Sequence, residues 1–227
     1  LMGELKSINR RTFVKRSAFG ALSIPLISTN PLLAFPPKSI KLTILHTNDM
    51  HSHIDPFSAN DSKYPGMGGM RKMASIVEKI RKEEDHVLLL DAGDIFQGTP
   101  YFNKYKGEVE LKIMSEMGYA ASTMGNHDFD NGINGFNDVL PYANFPFLCS
   151  NYDFSNTILN GKTKKFITKT IGELKVGLFG IGIKLNGLVE KRLYKETQYY
   201  EPIEIANHYA EILKDEHNCD IVICLSH

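Results

Sequence analysis

The sequence has no surplus of either charge: its 26 lysines and arginines balance its 26 aspartates and glutamates over 227 residues. That balance excludes a broad electrostatic surface for a nucleic acid polymer or an acidic membrane, so any preference for phosphate has to come from a local site. Cysteine is scarce. Cys149, Cys219 and Cys224 are unevenly spaced and lie in or beside apolar runs, which reads as buried core thiols, with a structural disulfide as the alternative. A stable membrane span is not expected, because the apolar stretch 18–28 falls short of the roughly 20 apolar residues a membrane helix needs. Internal repeats and low-complexity segments are absent. What remains, 42% apolar and 23% charged, is an ordinary globular composition, long enough for one well-buried domain.

The stretch 18–28 has a reading of its own. Arg10-Arg11-Thr12-Phe13-Val14-Lys15 precedes it and the proline-rich segment 31–37 follows, the pattern of a twin-arginine-type export signal and linker over residues 1–37. The chain is therefore expected to be exported, to the periplasm or cell envelope. A basic N-terminus with no address is the other reading of the same residues.

From Lys41 onward short apolar runs alternate with helix-like stretches, the signature of an α/β domain. Strands are expected at 41–46, 87–90, 120–123, 145–149, 166–171, 176–180 and 221–225. Met70, Met73, Ala74, Val77 and Ile80 recur at helical spacing after Gly68-Gly69, and Ile205, Tyr209, Ile212 and Leu213 do so later. The methionines read as core filling rather than as metal ligands.

Four of the strands run into polar residues. They lead, in order, into Asn48-Asp49-Met50-His51, Asp91-Ala92-Gly93-Asp94, Gly125-Asn126-His127-Asp128 and Ser226-His227. The C-terminal edge of an open α/β sheet is where sites form. Asp49 and His51, two apart, share a side if the chain stays extended and can then grip one ion; alone, the pair equally describes a solvated turn. Gly93 permits a sharp turn that leaves Asp94 exposed above the sheet, where its two oxygens can bridge two cations; alone, this also describes a helix-capping turn. Asn126 and His127 set an amide oxygen beside an imidazole, with Asp128 and Asp130 near enough to orient the ring.

Taken together, Asp49-x-His51, Gly93-Asp94 and Gly125-Asn126-His127-Asp128 resemble the three-block signature of the calcineurin-like metallophosphatases, and the residues around them resemble the 5'-nucleotidase branch. The resemblance covers 40–227 and implies a layered α/β-β-α sandwich with mixed central sheets, in which 221–225 is an interior strand. It further implies a phosphomonoesterase acting on a small phosphorylated substrate such as a nucleotide, with a phosphodiesterase on the same core, or a non-catalytic metal- or ligand-binding module, as alternatives.

In the family's scheme two divalent ions (zinc, manganese, iron or cobalt) are held by Asp49, His51, Asp94, Asn126 and His227, with Asp94 bridging, and activate a bridging hydroxide. Asn126 and His127 contact substrate. His127 is the acid that protonates the leaving group, and Asp130, rather than Asp128, fixes its tautomer. The family's further ligands come from a Gly-His-x-His or Gly-His-x-Gln segment that these residues do not contain. The domain is therefore expected to be incomplete at its C-terminus and the fragment to have little activity, with a separate substrate-recognition domain or chain beyond it.

Overall fold

Side-chain alternation along two strands sets the layers. In the computed structural model, which describes residues 39–227, β1 (Thr43–Thr47) pairs in parallel with β2 (Val87–Asp91), Thr43 opposite Val87 and Thr47 opposite Asp91. Successive residues of a strand face opposite ways. Leu89 accordingly joins one core cluster while Leu88 and Leu90 join another. The same division splits β5 (Leu174–Ile181), which lies between antiparallel β4 (Phe166–Ile171) and parallel β7 (Ile221–Ser226). Val176 and Leu178 pack with Leu88, Leu90 and Leu225 between the two sheets. Phe179 and Ile181 pack outward with Leu213, Cys219 and the helix that bears Ile205 and Tyr209.

Helices close both outer faces. Over Leu89 lie α1 (Met70–Glu83), α2 (Pro100–Tyr105), α3 (Glu108–Glu116), α4 (Gly132–Val139) and α5 (Lys191–Tyr194), which contribute Val77, Phe102, Leu111, Phe136 and Tyr194 to that core. The opposite face is covered by α6 (Pro202–Glu211) and the π-helical turn Ile212–Glu216. The order helix, sheet, sheet, helix is the expected layered sandwich, and its second sheet is mixed. A short antiparallel pair, β3 (Tyr152–Asp153) with β6 (Gln198–Tyr199), lies outside both sheets. Met70 is buried and Met73 packs against the helical core, as core filling requires.

Two expectations need correction. The runs 120–123 and 145–149 pair through isolated parallel bridges rather than full strands, Leu90 with Ala121, Ser122 with Phe147 and Leu148 with Lys164. Side chains add to the backbone bonds there: Ser122 Oγ donates to Asp91 and Thr123 Oγ1 to the Leu148 carbonyl. Second, β7 is an edge strand among the described residues, paired only with β5. Cys224, expected to be buried, is exposed on it, whereas Cys149 and Cys219 are buried and all three thiols are free. The export-type segment 1–37 lies outside the described residues. Among those described, no helix is long and apolar enough to cross a membrane.

Phe147 is 1% exposed and meets the rings of Phe136 and Phe145 at 4.9 and 5.6 Å. Phe147→Ala should therefore cost about 3–5 kcal/mol. Ile203→Ala, at a position 75% exposed, should stay within about 0.5 kcal/mol. Urea midpoints compare the two, and equal midpoints would contradict this core.

Candidate metal centre

The strand ends converge. Asp49, Asp94 and His227 each offer a ligand atom, and those atoms lie within 4.8 Å of one another. His227 Nε2 is 3.3 Å from Asp94 Oδ2. His51 Nε2 stands 3.6 Å from Asp49 Oδ1 and 3.8 Å from Asp94 Oδ2. Each imidazole is aimed by its other nitrogen: His227 Nδ1–H donates to the Ala92 carbonyl at 2.8 Å and His51 Nδ1–H to the Phe96 carbonyl at 3.3 Å. A carbonyl can only accept, so these bonds fix the tautomer and turn Nε2 of both rings toward the acids.

The backbone that does this is not extended. Asp49, His51, Ser52 and Asp94 have φ of 52°, 45°, 55° and 55°, in the left-handed region. Asp and His are among the residue types that tolerate it. The side chains of Asp49 and His51 therefore meet through a tight turn rather than through strand alternation. Asp94 also departs from expectation: it is 3% exposed, because His227 and the Gly125 segment close over it. Gly125 has to be glycine, since a Cβ there would stand 2.2 Å from Asp94 Oδ1.

Asn126 and His127 open the next loop, both half-buried. The His127 backbone N–H donates to Asp94 Oδ1 at 2.8 Å. His127 Nδ1 is 2.8 Å from Asp130 Oδ2, and the His127 ring lies edge-on to His51 with 5.1 Å between centroids. Asp128 makes no such contact. It is buried, with its carboxylate turned onto backbone amides of both loops.

Two carboxylates that build the site were not expected to do so. Asp91 is fully buried; it accepts from Thr47 Oγ1 at 2.6 Å, Ser122 Oγ at 2.7 Å and the Gly93 N–H at 2.9 Å. Asp128 is the second. The available signal was an acid ending the buried run Leu88-Leu89-Leu90, where solvent cannot reach it.

Protonation follows burial and pairing. Burial pushes Asp91 up to about 6 despite its hydrogen bonds, and Asp128 up to about 7, with the charges of Asp94 and Asp91 adding to the rise. Burial also raises Asp94, but hydrogen bonds from His227 and the His127 N–H outweigh it and leave that carboxyl below its usual range. The hydrogen bond to Asp94 lifts His227 to about 9.

This donor set fits divalent cations. Carboxylate oxygens and neutral imidazoles suit zinc, manganese, iron or cobalt. Among the described residues no lysine or arginine is ion-paired with Asp49, Asp91, Asp94 or Asp128, and the basic groups beside them are imidazoles.

Comparison with known proteins bears on the family and the fold. The family model described as Calcineurin-like phosphoesterase matches residues 42–227. The snake venom 5'-nucleotidase of Gloydius brevicauda is 40% identical over 153 residues, covering 64% of this chain and 26% of that protein. The 5'-nucleotidase of Bos taurus is 41% identical over 148 residues, 62% of this chain and 26% of its own length. The crystal structure of a 5'-nucleotidase precursor from Thermus thermophilus superposes with a TM-score of 0.75 at 29% identity, covering 82% of this chain and 37% of that one. The chain thus spans about a quarter of the length of the curated relatives it matches.

Gly125→Ala should destabilise the protein by about 1–3 kcal/mol through overpacking, read from the denaturant midpoint. An unchanged midpoint would refute the close approach of Gly125 to Asp94.

Proposed function

The chain belongs to the calcineurin-like phosphoesterase family, and from that premise we propose that it hydrolyses phosphate monoesters, nucleoside 5'-phosphates among them, with two divalent cations. The observation that supports this reading best is the meeting of Asp49, Asp94 and His227 within 4.8 Å beside the His127–Asp130 pair. Asp49, His51, Asp94, Asn126 and His227 would hold the cations. Bound there, the cations would supply Lewis-acid chemistry, neutralising phosphoryl charge and making water a stronger nucleophile near neutral pH.

The remaining work belongs to the chain. Asp130 Oδ2 accepts from His127 Nδ1–H, which fixes the ring's orientation and leaves the Nε2–H of the protonated ring as the proton to donate. As the bond from phosphorus to the leaving oxygen breaks, that proton passes to the departing alkoxide. Asn126 stands next to His127 and would orient the phosphoryl group; phosphoryl transfer asks a protein mainly for such positioning. The 5'-nucleotidase relatives support a nucleotide substrate, and the quarter-length match supports a further substrate-recognition domain in the whole protein. The Arg10-Arg11 segment and the venom relative support an exported location.

The test is hydrolysis of an aryl phosphate and of adenosine 5'-phosphate by the full-length gene product with manganese or zinc. His127→Ala should lower kcat by about 10²- to 10⁴-fold, Asp94→Asn should abolish metal-dependent turnover, and a chelator should silence the wild type. A metal-replete but inert wild type would overturn the reading.

A further inference from the structure

Asp128 is 1% exposed, and its hydrogen bonds run to backbone amides rather than to substrate-facing groups. Oδ1 accepts from the Ile95 and Phe96 N–H groups at 3.0 and 3.3 Å. Oδ2 accepts from the Asp94 and Gly125 N–H groups at 3.0 and 2.8 Å. Three of these amides, 94 to 96, are consecutive, and Asp94 at their head is left-handed. Successive N–H groups in such a turn form a concavity that takes an anion or its acceptor oxygens, and Asp128 supplies two such oxygens from within the chain.

The fourth amide, that of Gly125, belongs to the neighbouring loop, so Oδ2 is the joint between two segments distant in sequence. The ring then closes from the other side, where Asp94 Oδ1 accepts the His127 N–H at 2.8 Å.

We propose that Asp128 is a positioning residue whose carboxylate sets the spacing between the Asp94 carboxylate and the His127 imidazole across this joint. The proposal rests on the hydrolase reading above for its kinetic consequence, though not for its geometry. A carboxylate, not merely a group of its shape, is what the joint demands. An asparagine side chain has one acceptor and one donor end, so in either orientation two of the four amides would face an N–H₂ instead of an oxygen.

The experiment compares the wild-type full-length protein with Asp128→Asn. It measures amide hydrogen exchange, thermal midpoint, manganese affinity and the kinetics of aryl phosphate hydrolysis. In the wild type, the amides of Asp94, Ile95, Phe96 and Gly125 should exchange as slowly as those inside β2, although they lie in loops. In the variant those four should exchange faster while β4 and β5 are unchanged. Manganese affinity should weaken, kcat should fall by about 10- to 100-fold and KM should hold within about threefold.

Loop-like exchange of the four amides in the wild type would overturn the proposal, whether or not the variant folds. A variant less stable but with wild-type kcat and manganese affinity would overturn it too, leaving only a contribution to folding. Failure of the wild type to hydrolyse any phosphate ester would instead sink the hydrolase reading, while exchange and manganese affinity still decide the joint.

Discussion

The architecture of the site depends on two acids that water does not reach. Asp91 ties Thr47 at the end of β1 to Gly93 after β2 and to Ser122 beyond them. Asp128 ties residues 94–96 to Gly125. Buried carboxylates are tolerated when their oxygens are filled with donors, and here every donor comes from a segment that must be held against another. The sheet brings three strand ends to one edge; these two side chains convert that proximity into a fixed relation.

Charge gives the arrangement its polarity. Asp49, Asp91, Asp94 and Asp128 are gathered beside the imidazoles of His227, His51 and His127; burial raises Asp91 and Asp128, and neighbouring acids add to the rise at Asp128. Divalent cations would relieve this crowding, and burial around Asp94 would strengthen their hold by keeping the effective dielectric low. A protein with balanced overall charge can thus be strongly attractive to cations at one point and indifferent elsewhere.

Much of the frame was legible in the sequence because the strands are short apolar runs whose ends differ chemically from their middles. β2, β4, β5 and β7 emerged close to their expected bounds, and the layered sandwich followed from the family resemblance. Less legible were the segments that pair only through isolated bridges, as at Ala121 and Phe147, and the short helices α2 to α5, too brief for periodicity to declare them. Within the site, Asp49, His51, Asp94, His127 and His227 were visible as polar residues following apolar ones, and the structure gathers them. Asp91 and Asp128 were harder to see: a buried acid and an exposed one look alike until the fold says where the amides are. The burial of Asp94 was misjudged for the same reason, since its cover comes from residues far away in sequence.

Among the described residues, five of the eight non-glycine positions with positive φ fall in the two loops at 49–52 and 94–97. Left-handed backbone at such positions costs on the order of 1–3 kcal/mol each and persists only where the surroundings over-determine it. Those surroundings are long-range: parallel pairing of β1 with β2, and amides fastened by an acid from a third segment. The loops therefore have no local reason to adopt their shape in an unfolded or partly folded chain. Metal affinity should consequently appear late in folding, as a property of the finished sheet, so that a cation captured early by isolated Asp or His side chains would be held in the wrong geometry and have to be released.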